Sequence, residues 1–159
     1  MQQTALINTA IIMLDIDVTE KDDILTAMAK KLIYEGYAKE GYLQAVLNRE
    51  KEYPTGLPTN GVGVAIPHAE IKYVLKPGIA VATLRNPVKF NVMGNPDEQV
   101  DVKLIFMLAI KDPNVQISIL KKLVSIFQEE QLLVKLIDIK NEEEFADILN
   151  SIINEDTDR

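Results

Sequence analysis

"VDVKLIFMLAI", residues 100 to 110, ends in an unbroken apolar run from Leu104 to Ile110. A strand with one wet face alternates apolar and polar residues. A run without alternation therefore belongs at the centre of a sheet, covered on both faces. The surrounding sequence supplies the partners. "LINTAIIMLDID" (6–17), "VGVAI" (62–66) and "GIAVATL" (78–84) read as further strands, and "VKFNV" (88–92) as a short edge strand.

The cover comes from five helical patterns. "VTEKDDILTAMAKKLIYEG" (18–36) places Ile24, Leu25, Met28 and Leu32 on one face. Thr19 is its expected cap, with Asp22 reaching back, and Gly36 its stop. "KEGYLQAVLNREKEY" (39–53) sets Tyr42, Leu43, Val46 and Leu47 at helical spacing and must end near Tyr53, because Pro54 disfavours helix in the residue before it. "NVQISILKKLVSIFQEE" (114–130) is amphipathic with Ile117, Leu120, Val124 and Phe127 expected inward, and "EQLLVKLIDI" (130–139) reads as a short helix. "NEEEFADILNSII" (141–153) opens on Asn141 as cap, with three glutamates at its positive end. The expectation is an α/β protein: one domain over residues 1–159, a mixed parallel and antiparallel sheet of about five strands, and helices on both faces, with 153–159 a frayed tail.

Composition removes several function classes. With 24 acidic residues against 17 Lys and Arg, the net charge of −7 argues against a nucleic-acid partner. The absence of cysteine excludes disulfides, thiolate nucleophiles and cysteine-based metal sites. No basic n-region precedes the short apolar stretch Ala10–Leu14, and no apolar run approaches the roughly 20 residues that span a bilayer. A cytoplasmic protein without direct membrane insertion is expected.

The single histidine, His68, lies in "GVGVAIPHAE" (61–70), after a proline at a strand end. Neither a P-loop nor a GxGxxG fingerprint is present, and Gly61 precedes a strand with no helix behind it to cradle phosphate. Glu70 is the only close co-ligand for a metal at His68, which is a weak zinc signal, so no metal and no cofactor are expected. There is no GxSxG elbow, and Ser118, Ser125 and Ser151 fall in helical patterns. What remains is the imidazole itself as nucleophile toward a phosphoryl group, since its ordinary pKa near 6.5 leaves much of it unprotonated. Such a site needs positive charge and donors around the equatorial oxygens. Arg49 in the last turn of the second helix, and Thr55 and Thr59 in the loop "PTGLPTNG" (54–61), are the candidates, with turn chemistry the favoured role for Thr59.

The order Arg49-Glu50, Pro54-Thr55-Gly56 and Gly63-Val64-Ala65-Ile66-Pro67-His68 resembles the fructose/mannitol-type enzyme IIA domains of the bacterial sugar phosphotransferase system. "NREKEYPTGLP" and "IPHAEIKYV" look most like the galactitol-type members. The resemblance implies that His68 is the phosphorylated nucleophile, that Arg49 holds the phosphoryl group, and that Glu50 supports it. It also implies a phosphocarrier fed by the histidine-containing phosphocarrier protein HPr and discharging to a cysteine of enzyme IIB, with membrane enzyme IIC an indirect partner. Many relatives carry a second histidine where this chain has Asn114, which leaves that role to Asn114, a backbone amide, or nothing. A glutamate of mannitol-type members is replaced by Val62. HPr and enzyme IIB are expected to share one surface, with Leu57 and Val62 as contacts. A regulatory module that reports its phosphorylation state to a transcription regulator or kinase is the alternative within the same resemblance.

Overall fold

In the computed structural model, which describes residues 5–155, five strands form one mixed sheet: β1 (Ile12–Ile16), β2 (Gly56–Leu57), β3 (Gly63–Ala65), β4 (Gly78–Val92) and β5 (Asn95–Ala109). β4 and β5 make a long antiparallel hairpin turning at Gly94, whose φ of +80° suits glycine. β1 lies parallel to β4 on its outer side, and β3 parallel to β5 on the other. The short β2 joins β3 antiparallel and meets β4 through Gly56 and Val92. β5 thus has a neighbour on each side, as its apolar run requires.

Alternation along β5 feeds two cores. Leu104, Phe106 and Leu108 point into one, which is closed by α3 (Pro113–Phe127), α4 (Glu130–Asp138) and α5 (Glu142–Glu155). Ile105, Met107 and Ala109 point into the other, closed by α1 (Lys21–Tyr34) and α2 (Gly41–Glu52). Each residue from Leu104 to Ala109 is at most 1% exposed. At about 25 cal/mol per Å² of apolar area removed from water, this strand stabilises both halves of the fold at once.

Four expectations change. The "VKFNV" segment is no edge strand; it continues β4, with Val88, Lys89, Phe90 and Asn91 paired to Val102, Asp101, Val100 and Gln99. Pro87 falls in the register irregularity between Thr83 and Val88, where a missing N–H costs the ladder nothing. Thr19 does not cap α1: the cap position is Glu20, with no side-chain hydrogen bond, so Asp22 has nothing to reciprocate. On α3 the inward residues are Ile119, Leu123, Ile126 and Phe127, while Ile117 and Val124 are exposed and Leu120 is half-buried. Two apolar stripes run along that helix, and sequence spacing alone could not rank them. α5 runs through the buried Ile153 to Glu155, into the segment expected to fray; residues 156–159 lie outside the described residues.

Other signals hold. Asn141 caps α5 by accepting the Glu144 N–H at 2.9 Å. Gly36, at φ +85°, closes α1: the Tyr37 N–H bonds the Leu32 carbonyl at 2.8 Å and the Gly36 N–H bonds that of Ile33 at 3.1 Å. Gly63 is required for another reason, because a Cβ there would sit 1.9 Å from the Asp101 carbonyl oxygen. Gly63→Ala is therefore expected to cost at least about 3 kcal/mol, the upper end of overpacking penalties. Gly36→Ala, strained but in open space, should cost about 1–2 kcal/mol. Urea denaturation of both variants checks the order, and a reversed ranking would count against the close approach of β3 to β5.

Candidate active site

β3 delivers the chain to the site. Past its end, the Pro67 carbonyl accepts the Leu108 N–H at 3.0 Å, and His68 bridges Leu108 in parallel fashion. The histidine backbone is thereby pinned to the most buried strand. Its half-buried ring is fixed by a second bond: Nδ1 lies 2.9 Å from the Ile66 carbonyl oxygen. A carbonyl only accepts, so Nδ1 carries the proton and Nε2 keeps its lone pair. Burial holds the imidazole below its ordinary value of 6.5; the Ile66 carbonyl pulls it back up, and the positive charge of Arg49 pushes it further down. The ring is neutral at physiological pH, the state a nucleophile needs.

Arg49 stands in the last turn of α2, with its guanidinium carbon 5.2 Å from the centre of the Tyr53 ring. Its Nε is buried and has no hydrogen-bond partner among the described residues. A buried donor of this kind normally has an acceptor. The side chain borders a cavity of about 230 Å³, also lined by Asn48, Glu52, Tyr53, Glu70 and Tyr73.

Glu50, next in sequence, faces the interior and is 2% exposed. It accepts the Thr55 N–H through Oε2 at 2.8 Å and the Thr55 hydroxyl through Oε1 at 2.9 Å. Burial raises its pKa, opposed by both Thr55 bonds and by the charge of Lys21. The carboxylate is an anchor that fastens the loop after α2. Thr55 in turn passes the restraint on, since its carbonyl receives the Ile66 N–H at 3.4 Å. The Thr55 hydroxyl proton is thus committed to Glu50. Thr59 is a turn residue: its Oγ1 donates to the Val62 carbonyl at 2.6 Å and accepts the Gly61 N–H at 3.1 Å.

The remaining candidates divide. Asn114 is exposed in the first turn of α3, and its backbone N–H is taken by Asp112 Oδ1 at 2.8 Å; no hydrogen bond joins it to His68 among the described residues. Val62 is 7% exposed and belongs to the core, so it offers no contact surface, a correction to its expected role; a valine between a turn and a buried strand is drawn inward by its apolar area. Leu57 is half-buried. The residue that sequence reasoning passed over is Tyr53, whose aromatic face underlies Arg49; its signal was the i, i+4 spacing from Arg49.

Comparisons with known proteins speak to the family and the fold. The family model described as "Phosphoenolpyruvate-dependent sugar phosphotransferase system, EIIA 2" matches residues 5–152. The fructose-specific EIIABC component of Bacillus subtilis is 30% identical over 94% of this chain, which covers 23% of that longer protein. The galactitol-specific EIIA component of Escherichia coli K12 is 27% identical over 77% of the chain and 81% of the relative. Among solved structures, the mannitol enzyme IIA in its complex with phosphorylated mannitol enzyme IIB, from Escherichia coli, shares the fold with a TM-score of 0.72 at 21% identity, covering 93% of this chain and 96% of that one.

Glu50→Ala should cost about 1–3 kcal/mol in chemical denaturation, because the Thr55 N–H is left buried without an acceptor. Glu50→Gln should cost less, since the Thr55 hydroxyl can turn to accept an amide proton. His68 carries a pH signature. With its folded pKa lowered, the unfolded chain binds more protons just below pH 6.5, so the histidine's contribution to stability is complete above that pH and is lost as pH falls through the folded value. Subtracting the profile of His68→Gln from that of the wild type isolates it, and a flat difference would refute the buried neutral ring.

Proposed function

The chain belongs to the EIIA 2 family of the phosphoenolpyruvate-dependent sugar phosphotransferase system, and from that premise we propose that it is a phosphocarrier acting through His68. The Nε2 lone pair attacks the phosphorus of phosphohistidine HPr in line. As the new P–N bond forms, the bond to the donor's nitrogen breaks and the electron pair stays with the donor imidazole. In the second half, the cysteine thiolate of enzyme IIB attacks the same phosphorus and the electrons return to Nε2. The observation that carries this reading is the Nδ1 bond to Ile66, which commits one nitrogen and leaves the other as nucleophile. It also gives the charge that develops on the phosphorylated ring a carbonyl to rest against. Arg49 brings its unpartnered Nε and a planar fork suited to phosphoryl oxygens, held against Tyr53.

Docking calls on the surface beside the loop that follows Thr55. Val124 on the outer stripe of α3, 42% exposed, borders with Phe127 and Gln128 a groove of about 330 Å³ against Leu57, Pro58, Thr59 and Asn60, and Ile117, 54% exposed, continues the stripe beyond it with Leu120 and Lys121. Both partners must reach His68, so both compete for this one surface. Encounters remade on every turnover bury little, below about 1,200 Å². The net charge of −7 favours basic residues on the partners and association that slows with salt. The transported sugar is galactitol or a related compound. The soluble carrier never touches it, so enzyme IIB decides, and the two curated relatives above name galactitol and fructose. We place the protein in the cytoplasm, where HPr is.

Incubation with phosphoenolpyruvate, enzyme I and HPr should add one phosphoryl group by intact mass, labile in acid and stable in base. A modified His68→Ala protein would overturn the assignment. Discharge should be fastest to a galactitol-type enzyme IIB; uptake from HPr with no discharge to any IIB would favour the regulatory role. Arg49→Lys keeps the charge but loses the fork, and should slow transfer at least about tenfold, in line with the cost of one lost oxyanion donor. Ile117→Asp should raise KM for both partners and leave the maximal rate unchanged, as steady-state transfer assays would reveal.

A further inference from the structure

We infer that Tyr42 is a positioning residue for phosphoryl transfer: its buried hydroxyl ties the helix that carries Arg49 to the backbone that carries His68. The inference rests on the phosphocarrier reading above. Tyr42 is fully buried in the core beneath α2, and its hydroxyl donates to the Leu108 carbonyl at 2.6 Å across 66 positions of sequence. Leu108 is the residue whose N–H holds the Pro67 carbonyl and which pairs with His68. One residue of β5 therefore holds the histidine loop through its N–H and is held by α2 through its carbonyl.

Spacing makes the grip consequential. Tyr42 precedes Arg49 by seven residues, two turns of helix, so the two side chains leave α2 in nearly the same direction. Fixing the phenol against β5 sets the height and rotation of the helix, and with them where the guanidinium sits relative to the imidazole. Glu50 fastens the far end of the same helix to Thr55. α2 is thus held by one polar tie near its start and another near its end, with Arg49 on the span beside the second. A phenylalanine would fill the same volume in a cluster of Met28, Val46, Met107 and Ala109, so packing alone does not ask for the hydroxyl. The hydroxyl supplies direction. Misplacement of a reacting group by about 1 Å can cost as much as 100-fold in rate.

The test compares Tyr42→Phe with a destabilised control in the full chain. Asn150→Ala serves as control: Asn150 lies on α5, on the opposite face of the sheet, and holds the Ile7 backbone through bonds of 3.1 and 2.7 Å. Transfer from phosphorylated HPr is followed at saturating donor, and the ¹⁵N resonances and titration midpoint of His68 are read in the unphosphorylated protein. Tyr42→Phe should lower the maximal rate about tenfold with KM changed less than about twofold, and should shift the His68 resonances. Asn150→Ala should lower Tm and leave rate and resonances at wild-type values. Placing p-aminophenylalanine at position 42 restores a donor and should restore the rate. A Tyr42→Phe protein with the wild-type rate and unmoved His68 signals overturns the inference, as does a loss equal to that of Asn150→Ala or one that p-aminophenylalanine fails to rescue. A wild-type protein that takes no phosphate from HPr overturns the phosphocarrier reading, and this inference with it.

Discussion

Every residue of β5 from Leu104 to Ala109 has to be covered on both sides at once, because none offers a polar group to water. That requirement recruits α1 and α2 to one face and α3, α4 and α5 to the other, and it forbids β5 from being an edge. It also explains why the histidine segment is placed where it is. A strand in the centre needs a backbone partner along each edge, and once β4 has taken one edge, β3 and the Pro67–His68 segment complete the other. The histidine is thus attached to the element whose movement would be most costly. Loops carry function best when a rigid scaffold holds them, and here the scaffold is the sheet centre.

The charged groups of the site are held in three different ways. His68 is kept neutral by burial, and its single committed nitrogen faces a carbonyl. Glu50 tolerates burial because Thr55 satisfies both of its oxygens. Arg49 keeps a buried nitrogen with no partner among the described residues, a state that costs free energy until an acceptor reaches it. On the phosphocarrier reading that we propose, a phosphoryl oxygen is that acceptor. None of these arrangements needs a long-range field; each is a contact of 3 Å or so, or its absence.

Legibility varied with how local the deciding interaction was. The Asn141 cap, the Gly36 stop and the end of α2 before Pro54 are set within a few residues, and the sequence reading located them. The face of α3 was misread because two apolar stripes compete on one helix, and only the shape of the core chose Ile119 and Leu123 over Ile117 and Val124. The extent of β4 was misread because only the long hairpin with β5 carries the strand across Pro87 and the irregular register there. Within the site, the residue types around His68 were recognisable from their spacing. The tie between Glu50 and Thr55 was not, because the expected supporting carboxylate and a candidate for binding phosphate turned out to bind each other.

What the sequence determined by itself is the class of the fold and the candidate for the nucleophile that we propose. Apolar periodicity is a property of the chain alone, and a lone histidine after proline, in a chain without cysteine, leaves few other nucleophiles. What only tertiary structure decided is the chemistry's geometry. The tautomer of His68, the empty donor on Arg49 and the grip of Tyr42 on Leu108 each depend on atoms from separate segments meeting at about 3 Å, or on none meeting at all. Sequence spacing constrains neighbours on one element; it carries no information on which carbonyl, 66 residues away, a buried hydroxyl will face.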